Sequence, residues 1–201
     1  MEKKGASKST RPTGLFFGSF NPIHNGHLCI AEYMIEFAGL KEVWFIVSPH
    51  NPLKDKATLL SDQYRLDMVE TAIAGDDRFR VSDIEFHMPR PSYTIDTLTR
   101  LSELHPGRDF FLIAGTDVLP SFHKWKNYEQ LLLQYRLMIY PRHGSENHPL
   151  LRHPSVTAVD APRIEISASF IRQAIKEGRK VQYFLPHNVL SYIGKMGFYL
   201  R

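Results

Sequence analysis

Four short runs of unbroken hydrophobicity, set far apart, restrict this chain more than any other feature. Residues 15–17, 43–47, 110–114 and 137–140 read Leu-Phe-Phe, Val-Trp-Phe-Ile-Val, Phe-Phe-Leu-Ile-Ala and Leu-Met-Ile-Tyr. A half-buried strand alternates apolar with polar residues. A strand apolar at every position has to be covered on both faces, as in a parallel sheet. The intervening stretches carry helical spacing. Residues 26–38 line up Leu28, Ala31, Met34, Ile35 and Ala38, with Gly39 as a stop. Residues 62–74 line up Leu66, Val69, Ala72 and Ile73, with Ser61 as N-cap and Gly75 as stop. Thr94 is placed to cap a third helix that runs to Leu104 and ends at Pro106-Gly107. Two late helices are expected, at about 168–177, stopped by Gly178, and at about 187–196, entered through Pro186. Residues 141–154 read as a loop containing Pro and His. Strands alternating with helices predict right-handed crossovers. The expected fold class is α/β: a Rossmann-like open parallel sheet with helices on both faces and a small C-terminal helical cap.

With 201 residues, 43% of them hydrophobic and 23% charged, the chain suits one globular domain over residues 13–201, with the helical cap at about 165–201. The net charge of +4 misleads, because residues 1–12 hold Lys3, Lys4, Lys8 and Arg11 against Glu2 alone. That segment is read as a flexible basic tail, and no nucleic-acid-binding face follows from the rest. The single cysteine, Cys29, forbids an internal disulfide and fits a reducing compartment. No apolar run approaches the ~18 residues of a membrane span, and the basic N-terminus lacks an apolar signal core. A cytoplasmic location with no membrane partner is expected. Association with further copies of the chain is left open. His143, His148 and His153 lack helical or finger-like zinc spacing, so no metal site is assigned to them.

The chemistry centres on the exit from the first strand, Gly18-Ser19-Phe20-Asn21-Pro22-Ile23-His24-Asn25-Gly26-His27. Strand, glycine-containing turn and helix start together aim backbone N–H groups and a positive dipole end at one point, a natural phosphate site. The segment is neither the dinucleotide fingerprint nor a phosphate loop with Gly-Lys-Ser/Thr. Asn25 reads as the N-cap, so that His24 and His27 straddle the first turn. Gly26 between them lets a ligand approach the backbone.

Residues 14–28 resemble the signature of the nucleotidylyltransferase superfamily, whose His-x-Gly-His motif binds nucleoside triphosphate. Within it the chain resembles the bacterial nicotinate-nucleotide adenylyltransferases. Four further segments carry the likeness: Pro91-Ser92-Tyr93-Thr94 with Thr97-Leu98; Gly115-Thr116-Asp117-Val118-Leu119 with Phe122 and Trp125; residues 166–172, Ile-Ser-Ala-Ser-Phe-Ile-Arg; and Leu185-Pro186 with Val189 and Tyr192-Ile193. The chain departs from the family pattern at Phe17, where many relatives carry glycine, and at Asn21, where many carry aspartate. Ser169 stands for threonine, and Lys126 follows the tryptophan where tyrosine is frequent.

The resemblance implies transfer of AMP from ATP to nicotinate mononucleotide, giving deamido-NAD and pyrophosphate. The acceptor is a phosphate with a second pKa of ~6, so it arrives largely dianionic and needs no general base. Catalysis then rests on positioning and electrostatic stabilisation, with Mg²⁺ accompanying ATP and no covalent intermediate. His24 and His27 would donate to the triphosphate, one of them protonated. Arg172 and Ser167, placed in the first turn of a helix whose core face is Phe170, Ile171, Ala174 and Ile175, would bind the β- and γ-phosphates. A cation at that positive helix end is unfavourable unless an anion is bound. Gly18, Ser19, Phe20 and Gly26 would offer backbone to ATP, and Ser19 also to the acceptor phosphate. Gly115 and Asp117 would hold the adenosine ribose. Lys54 would contact phosphate on the acceptor side, Tyr93 and Thr94 would frame the nicotinate, and Trp125 would stack on the pyridine ring. Two alternatives stand beside this: the same chemistry on nicotinamide mononucleotide or a phosphopantetheine-type phosphate, and a nucleotide-sensing protein without turnover.

Overall fold

The computed structural model describes residues 11–49, 59–143, 145 and 147–200. Its strands are β1 Arg11–Gly18, β2 Glu42–Val47, β3 Phe79–Ser82, β4 Arg108–Gly115, β5 Arg136–Tyr140 and β6 Val156–Ala158. They form one sheet in the order β3-β2-β1-β4-β5-β6, parallel throughout. The helices are α1 Asn25–Glu36, α2 Asp62–Ile73, α3 Thr94–Leu104, α4 Tyr128–Gln134, α5 Ala168–Lys176 and α6 His187–Met196. All four apolar runs are strands of the expected Rossmann-like open parallel sheet. The short edge strands β3 and β6 and helix α4 were not anticipated. Arg11 and Pro12, expected in the tail, begin β1, where they pair with Arg108 and Asp109 of β4. Residues 1–10 lie outside the described residues.

Unbroken hydrophobicity resolves into two cores, one per face of the sheet. Phe16, Val43, Phe45, Ile113 and Met138 point to one, with Ile30, Ala31 and Met34 of α1, Leu66 and Val69 of α2, Ile171 of α5 and Val189 of α6. Leu15, Trp44, Ile46, Leu112 and Ile139 point to the other, with Ile95, Leu98 and Leu101 of α3 and Leu131 of α4. Each strand thus feeds both layers through the two-residue pleat. Helices α5 and α6 share the core of α1 and α2. In α5 only Ile171 and Ala174 of the expected core face are buried. Phe170 is exposed and leans edge-on against Phe184.

Because the strands run parallel, β1, β2, β4 and β5 end on the same edge, with Gly18 beside Val47 and Gly115 beside Tyr140. The order reverses between β1 and β4. At such a switch point the outgoing connections diverge to opposite faces and leave a crevice above the carboxyl ends.

Candidate active site

The turn after β1 is held by its own side chains. Phe20 adopts φ 45 and is 2% exposed. Its ring lies over Gly18, where a Cβ would come within 2.8 Å, and meets His27 edge-on with centroids 5.1 Å apart. Only the backbone of Phe20 can serve a ligand; the ring is an anchor. His24, not Asn25, is the N-cap of α1, and the Asn25 amide donates instead to the Tyr183 carbonyl. The His24 backbone N–H donates to His27 Nδ1 at 3.3 Å, and the two rings stack with centroids 3.7 Å apart. Gly26 is needed for a reason the sequence did not suggest: a Cβ there would meet His24 Nδ1 at 3.1 Å and Ile164 at 3.2 Å, so it makes room for the imidazole.

This packing sets protonation. Burial, and then the Arg142 guanidinium, lowers the His24 pKa to about 4. Burial, then His24, then Arg142 hold His27 well below its ordinary value. The protein's own groups therefore favour the neutral form of both rings near pH 7. Since Nδ1 of His27 accepts from the backbone, its proton is on Nε2, a donor for an anionic oxygen. Nδ1 of His24 is buried without a hydrogen-bond partner.

The positive charge comes from two arginines. Arg172 donates to the Asn21 carbonyl at 2.8 Å and to the Ser169 hydroxyl at 3.2 Å, tying α5 to the turn after β1. It is the fifth residue of α5 rather than a first-turn residue. Ser167 is the N-cap, and its hydroxyl accepts from the Phe170 N–H. Arg142 lies in the loop that follows β5. Its backbone N–H donates to the Thr116 hydroxyl at 2.8 Å, and that hydroxyl donates to its carbonyl at 2.7 Å. Its guanidinium lies 3.9 Å from Asp117, whose side chain is 53% exposed. Gly115 is required by that approach, since a Cβ would strike Asp117 and come within 2.7 Å of Arg142. His24, His27, Arg142, Arg172, Asp117 and Ser167 line one cleft of about 770 Å³, together with Gly18, Ser19, Phe20 and Gly115.

A second cavity of similar volume, about 770 Å³, lies beside it, and Phe17, Ser48, Pro49 and Trp125 wall both. Tyr93, Thr94 and Trp125 meet there as expected. Thr94 is the first residue of α3 and Tyr93 its N-cap, so Thr94 does not cap the helix. Trp125 packs on Phe122 with centroids 5.1 Å apart. Lys126 reaches across to α3, where its ammonium sits 4.7 Å from the Tyr93 ring centre and 2.8 Å from Asp96. Glu85, in the 3₁₀ segment Ile84–His87, is 3% exposed, and burial raises its pKa. Lys54 lies outside the described residues.

Arg65 of α2 also escaped sequence reading. Its fully buried guanidinium donates to the carbonyls of Ser19 at 2.6 Å, Ser48 at 2.8 Å and Leu60 at 3.1 Å, and pairs with Asp62 at 2.5 Å. It therefore staples the turn after β1 to the end of β2. A charge can be buried where carbonyls and a carboxylate replace water. Its position on the inner side of α2 was the available signal.

The cytidylyltransferase-like family model matches residues 15–174. A Flavobacterium johnsoniae protein named probable nicotinate-nucleotide adenylyltransferase is 50% identical over 94% of this chain and 98% of its own. A Bacteroides fragilis protein of the same name is 50% identical over 90% of each chain. In fold, the chain is similar to Plasmodium falciparum nicotinic acid mononucleotide adenylyltransferase complexed with NaAD, with TM-score 0.80 and 21% identity over 94% of this chain and 97% of that one. By this match and these relatives the chain is a member of the cytidylyltransferase-like family, and within it of the nicotinate-nucleotide adenylyltransferases.

Proposed function

We propose that this protein transfers AMP from ATP to nicotinate mononucleotide, forming deamido-NAD and pyrophosphate in NAD biosynthesis. The observation that carries the reading is that the cationic cleft and the aromatic cavity share a wall at Phe17, Ser48 and Trp125. A triphosphate in one and a pyridine mononucleotide in the other bring the acceptor phosphate to the α-phosphate.

An acceptor phosphate oxygen forms the new bond to the α-phosphorus as the bond to the bridging oxygen of pyrophosphate breaks. The dianionic acceptor brings its own electron pair, so no side chain abstracts a proton. Negative charge moves onto the leaving pyrophosphate. Arg172 and Arg142 supply fixed positive charge, and the neutral imidazole of His27 donates through Nε2. His24 stacks against it and adds a polar edge. Donors already held by the fold need no reorganisation as charge shifts, which is where the rate advantage arises. Gly18, Ser19 and Phe20 supply the backbone around the phosphates, Ser167 the start of α5, and Asp117 beside Gly115 an acceptor for ribose hydroxyls. On the other side Tyr93 and Thr94 frame the nicotinate and Trp125 stacks on its electron-poor ring. Lys54 is assigned to the acceptor phosphate from its place in the sequence.

Among the described residues, no group of three or more His, Cys, Asp or Glu is arranged to hold a metal ion, and Asp117 is the one carboxylate in the phosphate cleft. That donor set fits Mg²⁺ carried by phosphate oxygens and water, its common habit with nucleotides. When bound, the ion would neutralise phosphate charge. No helix among the described residues is long and apolar enough to cross a membrane, and Cys29 is unpaired. We place the enzyme in the cytoplasm, acting on small molecules.

Pyrophosphate release tests the assignment. Release is expected with ATP plus nicotinate mononucleotide, and much less with ATP alone or with the amide mononucleotide. Absence of release with the acid mononucleotide overturns the reading, and faster release with the amide or with a phosphopantetheine reassigns the acceptor.

A further inference from the structure

Glu85 is a buried carboxylate for which the reaction has no use. It lies in the wall of the aromatic cavity yet is 3% exposed. Its partners are hydroxyls, not cations: Ser92 donates to Oε2 at 3.2 Å and Thr97 to Oε1 at 2.8 Å, and the Ser48 hydroxyl also bonds it. Burying a carboxylate is costly, and an apolar side chain would fill a purely packing role at less cost. What a carboxylate alone provides is acceptor capacity for several donors at once.

The origin of those donors is informative. Ser48 follows β2, Ser92 precedes α3, and Thr97 lies in the first turn of α3. Ser92 and Thr97 bracket Tyr93 and Thr94, which line the cavity. The Thr97 hydroxyl also lies 3.2 Å from the Tyr93 carbonyl, so the same side chain grips the wall from behind. Two hydrogen bonds to one carboxylate therefore pinch the turn into α3, which has no side-chain cap of its own. The third fixes this turn against the β2 exit, a wall shared with the phosphate cleft.

We infer that Glu85 is a positioning residue, whose carboxylate gathers Ser48, Ser92 and Thr97 and so holds the Tyr93–Thr94 wall in the shape that receives the acceptor ring. The inference rests on the acceptor site proposed above. It concerns KM for the acceptor and the order of the wall, not the chemical step.

Two measurements test it. In steady-state kinetics, Glu85→Ala is expected to raise the acceptor KM by about tenfold or more, the usual scale for losing hydrogen bonds to a charged group, while the ATP KM stays within about twofold. Glu85→Gln, which keeps an oxygen for Thr97, should recover most of that loss. Thr97→Val, a milder change should Glu85→Ala fold poorly, should shift the acceptor KM in the same direction. Equal rises in both KM values, an unchanged acceptor KM, or a Gln variant as impaired as Ala overturns the inference. The second measurement needs no substrate: amide hydrogen exchange of the free protein should quicken at residues 92–97 in Glu85→Ala and stay unchanged at residues 18–27. Uniform exchange changes, or none, would reject the positioning role whatever the acceptor proves to be. A wild-type enzyme inactive on nicotinate mononucleotide, with selective quickening at 92–97, would reject the acceptor assignment alone.

Discussion

The two halves of the cleft are built in opposite ways. On the phosphate side one contiguous segment, residues 18–27, folds on itself, with Phe20 locked over Gly18 and the imidazoles stacked, that of His24 buried, and two distant arginines close the site. On the acceptor side the wall is gathered from the β2 exit, the approach to α3 and the turn before α4, joined by an ion pair between half-exposed partners. Preorganised donors matter most where charge shifts in the reaction, so the first half should govern turnover. Partly solvated contacts contribute little to the chemical step, so the second half should govern which acceptor is held, by modest factors.

The largest expected effect tests that division. His27→Ala should lower kcat by ~10²–10³-fold, the scale of losing one preorganised donor, while circular dichroism reports an intact fold. Near-normal kcat would mean that the imidazole is a packing group only.

Next comes the cost of keeping His24 neutral. Its folded pKa of about 4 lies below the ordinary value of 6.5, so between those values the unfolded chain binds a proton that the folded chain refuses. Stability is full above the unfolded value and falls as pH drops toward about 4, by on the order of 3 kcal/mol from this group. Urea unfolding at a series of pH values should show this slope, and His24→Gln should reduce it, leaving the part that His27 contributes. An unchanged slope would place the titration elsewhere.

Arg142→Gln should raise the KM for ATP by about tenfold, as for losing one charge-assisted contact, and leave the acceptor KM nearly unchanged. Equal rises in both would show that the arginine serves the boundary between the halves.

The smallest effect belongs to the acceptor side. Lys126 is 42% exposed and paired with Asp96. Lys126→Met leaves that carboxylate uncompensated beside the cavity and should weaken the acid mononucleotide by about threefold relative to the amide, while Asp96→Asn should do the reverse. Both shifts should shrink in high salt. Same-sign changes in the two variants would mean that the pair acts by holding Tyr93, not by charge.

The phosphate half was largely legible because its information is local. A glycine turn, two histidines three apart and a helix start are neighbours in sequence and remain neighbours in space, and Ser61 caps α2 as its spacing indicates. The acceptor half was legible through the resemblance at Tyr93, Thr94 and Trp125. Glu85 went unread because nothing local distinguishes a buried charged residue from a solvated one, and Arg142 because its place in the cleft depends on elements distant in the chain; Arg65 offered one local signal, its place beside the apolar stripe of α2. Phe170 misled in the other direction: helical periodicity gave it an inward place, but the neighbouring elements cover only part of that face.

By itself the sequence determined the parallel sheet, the course of most helices and the glycine turn that leads into α1, since these follow from short-range periodicity, capping and turn chemistry. Only the tertiary structure decided which ionisable groups are withdrawn from water. Burial depends on what packs above a residue from elsewhere in the chain, and that environment makes the two histidines neutral, places Arg142 against them and closes three hydroxyls around Glu85.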